Sequence, residues 1–343
     1  MRAAIKTAPG VGSLDVLDAP APVLAPGDAL IRVGFCGLCG TDLLVFDGRY
    51  RGRNRPVPYP LVVGHEAAGE VVELGPGTVW PPPGTRVAIE AVSGCGGCYH
   101  CIRGEYNLCQ DWHHIGLTRA GALAEFLVVP ATSLLPLPDA VTLEAAAVLE
   151  PLATAVHTLE RAKPAPAVSA AIIGPGSLGM LHAQALQAAG VGPIVIYGQP
   201  GDERRLAVAA ALGVDTFLGD RQAIATHARA ATDAIGFGLS IEAGGSSAAT
   251  QTALDVVAAS GTLVSLGIVP PTEIDLLQVM RKNLMWIGVV ASVRRHFADA
   301  IELLRTRKVQ PERLITHRLP LADALDGFRA LRRRDAVKVM FTV

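Results

Sequence analysis

At 343 residues, half of them hydrophobic and 18% charged, the chain is too long for a single core and too apolar for disorder, so two globular domains are expected. A formal net charge of −1 gives no general electrostatic pull toward nucleic acid or an anionic membrane. No apolar run reaches the roughly twenty residues that span a bilayer, and MRAAIKTAPG reads as a first strand rather than a leader, so the expected setting is the cytoplasm.

The first part of the chain is a series of short β-like runs cut by Gly and Pro: RAAIKTA, DALIRVGF, AAGEVVEL, TRVAIEA and AEFLVVP. Helical signal is sparse there until about Leu143, where TLEAAAVLEPLATAVHTLERA shows apolar residues at i, i+3, i+4. The pattern then changes. AAIIG, PIVIYG, DTFLG, LSIEAGG, GTLVSLG and MWIGVVA are short buried-type strands, most of them separated by Ala/Leu-rich helical stretches. Alternation at this spacing predicts a doubly wound parallel sheet, an α/β domain of Rossmann type. After it come the helix RRHFADAIELLRTRK, a second helix and a last strand, with no dinucleotide signature, so this tail is assigned to the first domain. The expected division is 1–153, a β-rich catalytic domain; 154–292, the Rossmann domain; and 293–343, a segment completing the first.

Six cysteines in a reducing compartment point to metal or catalysis rather than disulfides. Cys95, Cys98, Cys101 and Cys109 follow a C-x2-C-x2-C-x7-C spacing, enough thiolates from one loop to close a tetrahedral zinc site with no open position, hence a structural one. An iron–sulfur cluster or a nucleic-acid-binding ribbon are the alternatives; the lobe has no second cysteine set and only Arg103 as a nearby cation. A second constellation joins two glycine-rich turns: Cys39 in GLCGTDL, and His65 with Glu66 in GHEAAGE. One sulfur, one imidazole and one carboxylate make a three-ligand set with a position left open, as catalytic zinc requires. Taken singly, each is as readily buried packing or surface. Cys36 reads as a small buried thiol, and His100, His113 and His114 as solvated loop residues. Third, Gly174-Pro-Gly176-Ser177-Leu178-Gly179 follows a strand and opens a helix, the context in which G-x-G-x-x-G marks a dinucleotide site.

GLCGTDL, GHEAAGEVVELG, CGGCYHC…C, EPLATAVH and GPGSLG occur in the order found in the zinc-dependent medium-chain dehydrogenases, which the chain resembles over essentially its whole length. His-Glu at 65–66 and Glu-Pro-Leu at 150–152 resemble the polyol and threonine dehydrogenase branch. The resemblance implies a GroES-like fold for the β-rich domain and two zinc ions per chain. Cys39, His65 and Glu66 would hold the catalytic ion, with Glu150 as a nearby or exchanging fourth ligand. Asp42 would hold His65, and Thr41 would hydrogen-bond the alcohol oxygen. The implied activity is hydride transfer between a secondary alcohol or polyol-like substrate and NAD(P), through a zinc-bound alkoxide. A zinc-free reductase of the same superfamily and a silent nucleotide-binding scaffold are the alternatives. Leu44 stands where many relatives carry a histidine that passes the proton to solvent, so Glu66 or Glu150 with water must serve instead.

For the cofactor, Gly198 ends the second Rossmann strand where NAD-specific sites place an acid. Asp202 and Glu203 read as helix-start charges, and Arg204 and Arg205 follow, so NADP is expected to be slightly favoured. Leu266 and Val290 complete the expected cofactor contacts. Phe46, Tyr50, Trp112, His114 and Val290 mark the segments expected to face an alcohol or ketone substrate, with Phe46 and Tyr50 equally readable as packing. The last Rossmann strand would leave a bare edge, so a homodimer or homotetramer is expected. No nucleic-acid or membrane partner is expected.

Overall fold

The computed structural model describes residues 1–53 and 55–343. These form two compact units: Met1–Ala153 with Ala291–Thr306 and Ile315–Val343, and Thr154–Val290 with Arg307–Leu314.

In the first unit a seven-stranded sheet runs in the order Leu134–Pro136, Arg86–Ile89, Glu66–Leu74, Asp28–Gly37, Lys338–Thr342 and Ile315–Pro320, with Phe126–Pro130 also paired to Asp28–Gly37. Asp28–Gly37 is its hub. It lies antiparallel to Glu66–Leu74 in a register that sets Gly37 opposite Glu66, and antiparallel to Lys338–Thr342, with Met340 opposite Gly37. The alternation along DALIRVGFCG explains the placement: Ala29, Ile31 and Val33 are buried on one face. Arg2–Lys6 builds a separate small sheet with Leu14–Asp18 and Leu61–Val62, two short strands that carry no strong pattern in the sequence.

Two local expectations change. Gly40–Phe46 is a helix, not an extended glycine-rich turn. Cys39 is its N-cap, and Asp42, three residues in, reaches back to the Cys39 amide at 3.0 Å, as a capping box does. The long helical stretch after Thr142 is two helices, Leu143–Ala146 and Leu149–Ala162.

In the second unit six parallel strands run in the order Asp215–Leu218, Ile194–Gly198, Ala170–Ile173, Phe237–Glu242, Val257–Ser265 and Met285–Gly288. The order reverses beside Ala170–Ile173, the switch point at which doubly wound sheets open a ligand crevice. Ala170–Ile173 is buried at every position, as a central strand covered on both faces must be. Arg307–Leu314 packs with this unit, where the Gln310 amide donates to Gln184 Oε1 at 2.8 Å. Among the described residues no helix is long and apolar enough to cross a membrane.

Candidate active site and cofactor turn

Cys39, His65 and Glu66 each place one ligand atom within 4.8 Å of the other two. His65 and Glu66 are buried. Asp42 organises this cluster. Its Oδ2 caps Cys39; its Oδ1 accepts from the Gly64 amide at 3.3 Å and stands 3.2 Å from His65 Nδ1. One carboxylate therefore fixes the helix carrying Cys39, the turn carrying His65 and the tautomer of the ring, leaving Nε2 for a ligand. Burial disfavours a charged ring here, but Asp42 and Cys39 outweigh it and hold the His65 pKa well above its usual value. The Asp42 carboxyl is likewise pushed up by burial and pulled lower still by His65 and the two amides. Burial drives the Cys36 thiol well up, which keeps it a neutral neighbour.

Glu66 has a partner that sequence reasoning missed. Both its oxygens meet Lys338 Nζ, at 2.6 and 2.8 Å, and that ammonium also donates to the Leu38 carbonyl at 3.1 Å. Lys338 is 0% exposed. Burial opposes its charge, and Glu66 overcomes the opposition and holds its pKa above the ordinary lysine value. A Cβ at Gly37 would stand 2.4 Å from Glu66 Oε2, so the residue facing this ion pair across the ladder has to be glycine. The signal was a lone lysine in the apolar strand KVMFT, an inward charge that must have a partner. Glu150 stands outside the three-residue cluster; burial first, then Glu66, raise its carboxyl to about 7, against the pull of His65 and Lys338.

Burial sorts the surrounding residues. Phe46 is core packing, its ring 5.1 Å from that of Phe328. His114 is buried rather than solvated: its ring lies edge-on to His65 at 4.9 Å and to Trp112 at 5.3 Å, and burial followed by His65 pushes its pKa down to about 3. Tyr50 is half-buried, and burial raises its phenol while His65 and Arg53 pull the other way.

Cys95, Cys98, Cys101 and Cys109 form the second cluster, again mutually within 4.8 Å. Cys95 and Cys101 sulfurs are 4.0 Å apart, and those of Cys98 and Cys109 3.7 Å. A tetrahedron with Zn–S bonds of about 2.3 Å has S···S edges of about 3.8 Å, so the cage is already the size of that ion.

In the second unit the glycine turn lies where the sheet order reverses. Gly174 has φ +118°, and a Cβ there would stand 2.8 Å from the Gly244 backbone. Gly176 precedes the helix Ser177–Ala188 and faces open space, the room a phosphate needs. Gly179 sits close over the Gly174 carbonyl, and the Leu178 carbonyl accepts from His182 Nδ1 at 2.7 Å. Leu266 and Val290 follow the strands Val257–Ser265 and Met285–Gly288, at the same end of the sheet. Sequence reasoning also missed Glu242 there. Its buried carboxylate accepts from the amides of Gly244, Gly245 and Gly267 at 2.9, 2.6 and 3.1 Å, tying two crossover loops beside the turn. Asp202, at the N-cap of the next helix, accepts from the Gln199 amide at 3.2 Å and lies 4.0 Å from Arg205. A Cβ at Gly198 would meet Asp202 Cβ and Leu206 at 3.0 Å.

Residues 25–139 match the alcohol dehydrogenase GroES-like domain, and residues 141–343 the glucose dehydrogenase C-terminus. The chain belongs to the medium-chain dehydrogenases of the alcohol dehydrogenase superfamily. It is 30% identical over 346 residues to a sorbitol dehydrogenase of Halalkalibacterium halodurans, covering 100% of this chain and 99% of that one. An L-threonine 3-dehydrogenase of Pyrococcus horikoshii is 32% identical over 349 residues, covering 99% and 98%. A structure from Sinorhizobium meliloti 1021, solved with NADP bound, superposes with a TM-score of 0.87 at 27% identity over 100% and 99% of the two chains. These relatives place the superfamily member in the polyol and threonine dehydrogenase branch, an alcohol-type oxidoreductase acting on a small molecule.

Proposed function

We propose that this dehydrogenase is zinc-dependent and oxidises a secondary or polyol-type alcohol with NAD(P), or reduces the matching carbonyl. The observation that supports it most is the convergence of three unlike ligand atoms, from Cys39, His65 and Glu66, on one buried point. Zinc held by those three would supply the Lewis acid that lowers the alcohol's pKa. NAD(P) would accept both electrons, since the carbinol carbon gives up hydride as its hydroxyl gives up a proton, leaving a ketone or aldehyde.

The chain's own residues do the rest. Asp42 keeps the His65 ring in one tautomer, and Lys338 balances the Glu66 charge, so the pair Glu66–Lys338 adds no net charge to the site. Glu150, with a carboxyl near neutrality, stays back from the ligand cluster and holds a proton close to it, the role left open by Leu44. Thr41, whose amide donates to Cys39 Sγ at 3.5 Å, would offer its hydroxyl to the alcohol oxygen. At the glycine turn, Gly174, Gly176, Ser177, Leu178 and Gly179 would receive the pyrophosphate. Asp202 being occupied by Gln199 and Arg205, and Gly198 carrying no acid, NADP should be accepted with a slight preference. Six free cysteines suit a reducing, cytoplasmic setting. The edge strand Met285–Gly288, with Met285 59% exposed and Leu276 and Met280 nearby in sequence also exposed, favours a homo-oligomer.

Metal analysis tests the central reading. Two zinc ions per chain are expected; Cys39→Ser should remain folded with one ion and lose at least a hundredfold in kcat, whereas Cys95→Ser should lose folded yield. Full activity in a zinc-free Cys39→Ser protein would sink it.

A further inference from the structure

An acidic side chain at the end of an otherwise apolar strand, LSIEAGG, has no packing reason to be there. The parallel register seats that residue, Glu242, between two neighbours. Ile173, the last residue before the glycine turn, lies opposite it on one side, and Ser265 on the other. Three adjacent strands therefore end level, and the loops leaving them begin at Gly174, Ala243 and Leu266. The backbone joins these exits once each. The Ala243 amide donates to the Ile173 carbonyl at 3.0 Å, and the Leu266 amide to the Glu242 carbonyl at 3.1 Å.

Past that point the ladder stops and the Glu242 side chain takes over. Its Oε1 accepts from the Gly244 and Gly245 amides, and its Oε2 from the Gly267 amide. The segments it ties touch backbone to backbone: a Cβ at Gly174 would stand 2.8 Å from Gly244, and one at Gly267 2.5 Å from Gly245. Contacts this close leave no room for side chains to set the spacing, so the carboxylate sets it. Glu242 is 0% exposed, so whatever it does for a ligand it does through these loops. Burial pushes its carboxyl up, against the pull of the Gly245, Gly267 and Gly244 amides. A carboxylate that only stabilised the sheet could sit anywhere along it. This one sits where the strand order reverses and braces the turn expected to receive pyrophosphate. By charge alone it would disfavour an anionic ligand there, so ordering and electrostatics predict opposite effects of removing it.

We propose that Glu242 is a positioning residue for the dinucleotide: it locks the loops at Gly244–Gly245 and Gly267 against Gly174, and so presets the turn for the pyrophosphate before NAD(P) arrives. This rests on reading the glycine turn as the cofactor site, and adds a residue that sets its affinity without touching the cofactor. Loops already held in the bound arrangement lose less freedom when a ligand arrives, so binding is tighter. The redox step is unchanged, because Glu242 acts on the cofactor's seat and on neither the hydride nor the proton.

The test titrates the full chain with NADH and with NADPH, followed by nicotinamide fluorescence. Glu242→Gln keeps the size of the side chain but turns one acceptor oxygen into a donor, which must then face an amide N–H. Glu242→Asp keeps the charge and shortens the reach by one methylene. Ile241→Val, one position earlier and also 0% exposed, loosens packing without touching the loops. Glu242→Gln should raise the Kd of both dinucleotides roughly tenfold, and Glu242→Asp should raise it less. Ile241→Val should melt earlier yet bind as the wild type does. Hydrogen exchange in the segments 243–250 and 266–275 should be faster in Glu242→Gln than in the wild type without cofactor, and the gap should narrow with NADH bound. An unchanged Kd in Glu242→Gln, or an Ile241→Val protein weakened as much, would overturn the proposal. Tighter binding by Glu242→Gln would overturn it too, leaving charge repulsion as the effect of this carboxylate. Should Glu242→Gln fail to fold, Glu242→Asp and the wild-type exchange still decide: segments protected before NADH is added support the proposal, and segments protected only afterwards refute it. A wild type that binds neither dinucleotide would overturn the cofactor reading and the proposal with it, whereas wild-type binding that is indifferent to Glu242 overturns the proposal alone.

Discussion

Glu90 is 4% exposed, and its hydrogen-bond partner is the Tyr106 hydroxyl, which in turn accepts from the Arg294 amide at 2.6 Å. Burial raises its carboxyl from 4.5 to about 7, while Tyr106 and Arg294 pull the other way. Between those two values the folded protein holds a proton that the unfolded chain has released. Stability therefore falls as pH rises from about 5 toward 7, the opposite of a salt-bridged acid. A shift of about 2.5 units corresponds to roughly 3 kcal/mol as a ceiling, or about 6–12 °C in midpoint for a unit of this size. Glu90→Gln keeps an acceptor for Tyr106 and has no proton to lose. Melting curves of zinc-loaded wild type and variant, from pH 5 to 8, isolate this group, because every other titration is common to both. The variant should gain on the wild type as pH rises, most steeply between 5 and 7. Curves that stay parallel within about one degree would refute the reasoning.

Lys338→Met removes the cation paired with buried Glu66 and should cost about 3–5 kcal/mol; the loss should be smaller in zinc-loaded than in chelator-treated protein, read as the difference in midpoint. For the cofactor, kcat/KM with NADP should equal or slightly exceed that with NAD, and a tenfold preference for NAD would show that Asp202 or Glu203 reaches the ribose. Gly198→Asp is a poor probe of that choice: its Cβ would press on Asp202 and Leu206, so lost stability should accompany any switch. Met285→Lys, which puts a charge on the exposed sheet edge, should lower the molar mass measured by light scattering if that edge pairs with a second copy.

The parallel sheet and the four-cysteine cluster were legible because their signals are local, whereas Cys39, His65 and Glu66, ambiguous singly, were joined by the family resemblance. Strand–glycine–helix spacing fixes the turn at 174–179, and fifteen residues of loop suffice to gather four thiols. What escaped depends on contacts distant in sequence or on environment. Lys338 meets Glu66 across 272 positions, a pairing that no spacing encodes. In sequence His114 looks no different from its half-buried neighbour His113; only the Trp112 and His65 rings set it apart. The helix Gly40–Phe46 was hidden because Cys39 is a rare cap and glycine a weak opening; Asp42 supplies the missing bond. Phe46 was equally readable as packing or as a substrate contact, because position beside a motif says nothing of which side of a short helix it occupies.

The 272-residue separation also sets an order in time. Chains lengthen at about 5–20 residues per second and fold from the N-terminal end first, so Glu66 exists for roughly fifteen to fifty seconds before Lys338 does. The whole central unit is made in that interval. A carboxylate destined for full burial cannot be sealed in without a positive partner. During those seconds the strand Glu66–Leu74 has three options: remain open to water, keep Glu66 protonated, or pair it with a cation from outside the chain. If the proposed metal site fills during synthesis, zinc would give Glu66 a positive partner before its own lysine arrives, and metal supply at that stage would then influence folded yield.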